Sequence, residues 1–167
     1  MRPYHFECRY YSTDQMLSEY VHRVLCRNIF RFGTLISLVA LIFAIFSWLN
    51  QDTIFFTLFG VCFLIVFLTM LFTPPIMIRQ VKENDRRLHN GQKFETIVQF
   101  GDRILVREGT FSLACTYDQI IKIRPLKYSY VLMFGPRNAI MVSPEHFTIG
   151  AFEEFQTFIK ERCPKAV

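Results

Sequence analysis

The chain has 167 residues, enough for one ordinary soluble domain or for a membrane anchor plus a domain of about one hundred residues. Hydrophobic residues make up 51% of it and the formal net charge is +5, but neither is evenly spread: from Phe32 to Ile78 the only formal charge is Asp52. That segregation excludes an ordinary soluble domain as the whole of the chain, and five widely separated cysteines (Cys8, Cys26, Cys62, Cys115, Cys163), with no C-x-x-C and no Cys/His cluster, suggest neither a disulfide framework nor a metal site.

Residues 1–31 read as an N-terminal strand and an amphipathic helix on the cytosolic side. HFECRYY, His5 to Tyr11, alternates like a strand, and Ser12-Thr13-Asp14-Gln15 has the S-x-x-Q form of a capping box. The helix it opens carries Leu17, Tyr20, Val21, Val24 and Leu25 on one side and Glu19, His22, Arg23 and Arg27 on another. Such a helix lies along lipid headgroups or runs on into the segment that follows.

Residues 32–78 read as a transmembrane helical hairpin, with spans over about 32–50 and 53–73. FGTLISLVALIFAIFSWL and TIFFTLFGVCFLIVFLTMLFT carry no charge, and each is long enough to cross a hydrocarbon core of ~30 Å, which takes roughly 20 residues. A small domain cannot wrap two helices that are apolar on every side, which counts against buried core helices. A cleaved signal peptide fits poorly too, because the first apolar run begins only after about thirty polar and charged residues. Asn50, Gln51 and Asp52 alone separate the spans, so the helices are expected to turn straight back with both chain ends on one side. Arg23, Arg27 and Arg31 precede the hairpin and Arg79, Lys82, Arg86 and Arg87 follow it, while the turn holds no Lys or Arg; by the positive-inside rule both termini are cytoplasmic. Trp48 suits the interfacial aromatic belt near the turn.

Gly33, Ser37, Ala40, Ala44 and Ser47 form a stripe of small residues on the first span, and Thr53, Thr57 and Gly60 open a similar one on the second. Stripes of this kind let helix backbones approach closely in lipid, within the hairpin or between copies of the chain. Neither span holds an Asp, Glu, Lys, Arg or His, so substrate or ion transport is disfavoured.

Pro74-Pro75 is expected to break the second span at the membrane surface. Residues 79–92 then form a short basic juxtamembrane helix or linker, stopping at Asn90-Gly91. Residues 93–167 form a cytosolic domain. FETIVQF, RILVRE and FSLACTY alternate with period two, with Phe111, Leu113, Cys115 and Tyr117 on one face. After a turn at Asp118 to Ile121, IIKIRPL, YSYVLMF and AIMVS continue an antiparallel meander, with Gly135-Pro136-Arg137-Asn138 as a hairpin loop. Thr148 is a helix N-cap on this reading, and GAFEEFQTFIKERC lays Phe152, Phe155, Phe158 and Ile159 on an apolar stripe with Glu153, Glu154, Lys160 and Glu161 outward. The fold class expected is therefore an α+β membrane protein: a two-helix transmembrane hairpin with a small cytosolic antiparallel β domain closed by a C-terminal α-helix.

The order of strand, hairpin, basic stretch and then TYDQIIKIRPLKYSYVLMFGPRNAIMVSPEHFTIGAFEEFQTFIKER, Thr116 to Arg162, resembles the YcxB-like bacterial membrane proteins. Its most specific features are the entry at Tyr117 and Ile120, the aromatic strand Tyr128 to Phe134, and apolar residues ending in a helix; Ser143-Pro144-Glu145 stands where the family usually carries a polar or basic residue near the strand end. The resemblance implies a pleckstrin-homology-like (PH-like) domain at the inner face of a bacterial cytoplasmic membrane, with no activity to carry over. Such folds have seven strands; the segments above supply about six, so His5 to Tyr11 is expected to be the missing one.

No Walker A, G-x-S-x-G, G-x-G-x-x-G or H-E-x-x-H pattern is present, and His5, His22, His89 and His146 are not spaced as helical metal ligands. The chain is expected to be no enzyme, to need no cofactor, and to have no evident small-molecule substrate. Lys122, Arg124, Lys127 and Arg137, with Arg79, Lys82, Arg86 and Arg87, are candidate contacts for anionic lipid or a partner. They are interleaved with acidic residues, which disfavours nucleic acid. The leading expectation is a membrane-tethered module that binds a protein partner or a copy of itself. A lipid-contacting envelope regulator, an immunity-like protein and an enzyme with an unrecognised site are the alternatives.

Overall fold

The computed structural model describes residues 4–88, 92–136 and 138–166. They form an α+β structure with two long apolar helices and an antiparallel β domain. Two units result, one from residues up to Tyr20 together with those from Asn84 onward, the other from Val21–Glu83.

In the β unit, β1 (Phe6–Tyr10), β2 (Thr96–Phe100), β3 (Ile104–Glu108), β4 (Phe111–Cys115) and β8 (Phe147–Ile149) make a five-stranded sheet in the order β4-β3-β2-β1-β8. A second sheet runs β5-β6-β7 through Lys122–Pro125, Tyr130–Met133 and Ala139–Val142. Every pairing is antiparallel. The N-terminal strand is central to the larger sheet, because Phe6 opposes Phe100 on β2 while Glu7 and Cys8 pair across to Ile149 and Phe147 on β8. It takes that place because its alternation sends Phe6, Cys8 and Tyr10 into the core.

The core is aromatic. Phe155 of α4 (Phe152–Arg162) is fully buried and lies 4.6 Å from Phe100, 5.1 Å from Phe147 and 5.7 Å from Phe6, centre to centre. Offset and edge-on contacts of this kind add roughly 0.5–1.5 kcal/mol each beyond area burial. The helix keeps Glu153, Glu154, Lys160 and Glu161 exposed, and its acidic start and basic end both suit the helix dipole. Its N-cap is Ala151. Thr148 lies instead within β8, where its hydroxyl donates to Glu7 Oε1 at 3.0 Å. A bond to a carboxylate across the sheet has displaced the local capping role, and a short eighth strand stands where the helix N-cap was expected.

α1 (Asp14–Tyr20) starts one residue later than the S-x-x-Q pattern implies, with the Met16 amide donating to Thr13 Oγ1. Met16 enters the β-domain core, and the Glu19 carboxylate accepts the amides of Lys127 and Tyr128, each at 2.9 Å. The helix is thereby fastened to the β5–β6 loop.

In the helical unit, a π turn over Val21–Leu25, closed by the Cys26 amide donating to Val21 O at 2.8 Å, leads into α2 (Arg27–Leu49). α3 runs Thr53–Leu88 without a break, so Pro74 and Pro75 lie inside a helix rather than ending one. A proline's φ is already helical, and what is lost is two main-chain donors, those that would serve Met70 and Leu71. Pro74 is buried, so packing holds the turn that local preference would open. Asn90 and Gly91, read as the stop signal, lie outside the described residues.

Candidate functional site

The hairpin presents the largest surface that calls for a function. α2 and α3 are both long and apolar enough to cross a membrane. Leu35, Ile42, Phe46, Ile54, Ile65 and Phe72 are each more than half exposed, as are many of their neighbours, and none of the apolar window of α3 is buried. Soluble monomers rarely expose continuous apolar patches beyond a few hundred Å².

The small residues of α2 lie at its packed face: Gly33, Ala40, Ala44 and Ser47 are buried and Ser37 is half-buried. A Cβ at Gly33 would stand 2.7 Å from Met70 Sδ, so the missing side chain is what lets Met70 of α3 seat there. Further along, Phe43 stacks on Phe59 at 5.2 Å. The second stripe is not part of this seam. Thr53 and Thr57 are exposed, with the Thr57 hydroxyl turned back onto Thr53 O at 2.8 Å, and nothing lies within 4 Å of a Cβ at Gly60. α3 instead offers large side chains, Phe59, Phe63, Val66 and Met70, whose exposure falls at helical spacing. Small residues on one helix thus receive large ones from the other, a pairing that a search for small residues on both helices misses.

The basic residues fall in two groups on different elements. Arg79, Lys82, Arg86 and Arg87 are exposed along the last turns of α3. Lys122 and Arg124 share one face of β5, exposed and half-buried respectively, and Lys127 follows with Nζ 5.0 Å from the centre of the Tyr128 ring. Arg137 lies outside the described residues.

Sequence reading missed a buried polar cluster in the β unit. Glu7 is 4% exposed on the face of β1 opposite Phe6 and Cys8. Its Oε2 accepts from Gln99 Nε2 at 2.6 Å, and its Oε1 accepts from Arg9 Nε at 2.7 Å and from Thr148 Oγ1 at 3.0 Å. Burial alone would raise its pKa, but the bonds from Gln99, Arg9 and Thr148 outweigh it and hold the carboxyl below its ordinary value. A buried carboxylate held by three donors ties β1, β2 and β8 together, which suits structure better than proton transfer. The only available signal was the polar alternation Glu7, Arg9 within an otherwise apolar strand.

Reactive groups elsewhere are muted. Burial pushes the thiols of Cys8 and Cys163 up to about 11, so neither is a thiolate near neutral pH. His146 Nδ1 lies 2.8 Å from Ser143 Oγ, and the His146 amide donates to Ser143 O, closing the Ser143-Pro144-Glu145-His146 turn. Among the described residues no three His, Cys, Asp or Glu side chains gather as metal ligands.

Compared with models of protein families, with curated proteins and with solved structures, the chain matches none.

Proposed function

We infer that the chain is a membrane-anchored, non-enzymatic binding or regulatory module, in which α2 and α3 form a transmembrane hairpin that holds a PH-like domain at the inner face of a bacterial cytoplasmic membrane. The observation that carries this reading is the apolar window of α3, 0% buried although long enough to span. Water would oppose such a surface strongly, at about 25 cal/mol per Å².

The strand pairing supports the topology. β1 precedes the hairpin and β2 follows it, yet the two are neighbours over their whole length, from Phe6 opposite Phe100 to Tyr10 opposite Thr96. This pairing supports a shared compartment for both flanks of the hairpin, and the arginines on those flanks favour the cytoplasm by the positive-inside rule. A cleaved leader would remove a central strand of the sheet, which counts against that reading of the first helix. The two antiparallel sheets, β4-β3-β2-β1-β8 and β5-β6-β7, with α4 packed on the core, are the features in favour of the PH-like reading. Its occupant is a protein partner or another copy of the chain, docking at a sheet edge or beside α4.

Membrane fractionation with alkaline washing and impermeant thiol labelling tests the anchor. The protein is expected in the washed pellet, with Gln51→Cys labelled in intact cells and Ser112→Cys labelled only after permeabilisation. Recovery in the soluble fraction, or the reverse labelling order, overturns the reading. Mild cross-linking in the native membrane followed by affinity purification then asks for the partner: a protein or self-adduct lost on mutating the β domain supports docking, and its absence refutes it.

A further inference from the structure

We propose that the hairpin seats one acyl chain of an anionic phospholipid in a cavity at its charged end, a site that rests on the membrane reading above and gives it a ligand. The cavity, of about 300 Å³, is lined by His22, Phe30, Phe67, Met70, Leu71 and the Pro74-Pro75 pair. The walls come from the π turn, the start of α2 and the proline-bearing stretch of α3.

Its chemistry is that of hydrocarbon. Apart from the His22 ring, which stacks on Phe30 at 6.4 Å, every lining side chain is apolar. A water molecule needs 2–4 polar partners to settle in such a place, so this cavity favours an apolar occupant. At the lower end of the roughly 300–1,000 Å³ range of ligand sites, it suits a single chain rather than a bulky ring system.

Charge selects the headgroup. Within Val21–Glu83 the cations are Arg23, Arg27, Arg31, Arg79 and Lys82, all on the segments that lead into and out of the cavity end, whereas the acids are Asp52 at the far turn and Glu83. A phosphodiester at this level meets an excess of positive charge, and the apolar lining just inside it receives the chain.

Native mass spectrometry of the full-length protein in non-ionic detergent, titrated with dioleoylphosphatidylglycerol or dioleoylphosphatidylcholine, tests the proposal. The first lipid adduct is expected at a roughly tenfold lower concentration for the glycerol headgroup, the effect of one to two added basic contacts. Leu71 is 56% exposed, so Leu71→Trp fills the cavity without entering a packed core, and it is expected to weaken that adduct about tenfold. Leu58→Trp, on the same helix at 53% exposure but away from the lining, leaves it unchanged. Arg27→Gln combined with Arg31→Gln removes the headgroup preference while a chain still binds. Equal adducts for both headgroups, equal behaviour of the two tryptophan variants, or a lipid-free dimer whose formation Leu71→Trp abolishes would overturn it. Failure of the membrane reading shows separately, as a protein that is soluble before detergent or lipid is added.

Discussion

Glu7 shows how one buried carboxylate can organise three strands. Its folded-state pKa is depressed, so the stability it contributes is present above the unfolded value and is lost as pH falls through the folded one. Unfolding of the purified protein followed across pH should show stability falling as pH drops below the ordinary value of 4.5. Glu7→Ala should remove much of that dependence and lower stability at neutral pH by roughly 2 kcal/mol, since hydrogen bonds to charged groups are worth about 1.5–3. Gly150 is the second sensitive position. It sits at φ +77°, and a Cβ there would lie 2.3 Å from Phe6 Cδ1, in the aromatic core. Gly150→Ala combines a left-handed backbone penalty with overpacking and should destabilise the β unit by roughly 2–4 kcal/mol in thermal melts. Neither position stood out in the sequence, because a lone glycine and a lone acid carry no period. Their importance comes from partners Gln99, Thr148 and Phe6, all far away along the chain.

At the scale of elements, the asymmetric helix seam makes two glycines unequal. Gly33→Ile should push Met70 off α2, whereas Gly60→Ile meets open space. A disulfide engineered between Phe43→Cys and Phe59→Cys, whose rings lie 5.2 Å apart, would report on this. Its yield should fall severalfold with Gly33→Ile and hold with Gly60→Ile. The elements legible from sequence were those with strong periodicity: the two apolar helices, the strands from Thr96 to Val142, and the Phe152, Phe155, Ile159 stripe of α4. What escaped was decided by tertiary contacts. Pro74-Pro75 carries a strong local stop signal, yet a buried Pro74 leaves α3 unbroken. Thr148 has the composition of a cap but finds Glu7, and the second small-residue stripe has the right spacing on the wrong face.

For the molecule as a whole, the β unit draws on both sides of the hairpin. Residues 84–167 expressed alone would lack β1, leaving β2 with one open edge and β8 with no strand beside it. That fragment should show no cooperative thermal transition by circular dichroism, and a peptide spanning residues 4–20 should restore one; a cooperative fragment would show that β1 is dispensable. The sequence suggested this arrangement only indirectly, through a strand pattern before the first apolar helix and one strand too few after the second.

The separation of β1 from β2 also sets a clock on biogenesis. On a ribosome working from the N-terminus, Phe6–Tyr10 emerges early and must wait, unpaired, until both long helices and then Thr96–Phe100 have followed. At about 5–20 residues per second, that interval lasts several seconds. During it, the strand is exposed to chaperones and proteases, and it gains its partners only once the residues beyond the hairpin have been made. On the proposed transmembrane reading, completion of the sheet records correct insertion: a nascent chain whose hairpin is misplaced cannot hide its own first strand.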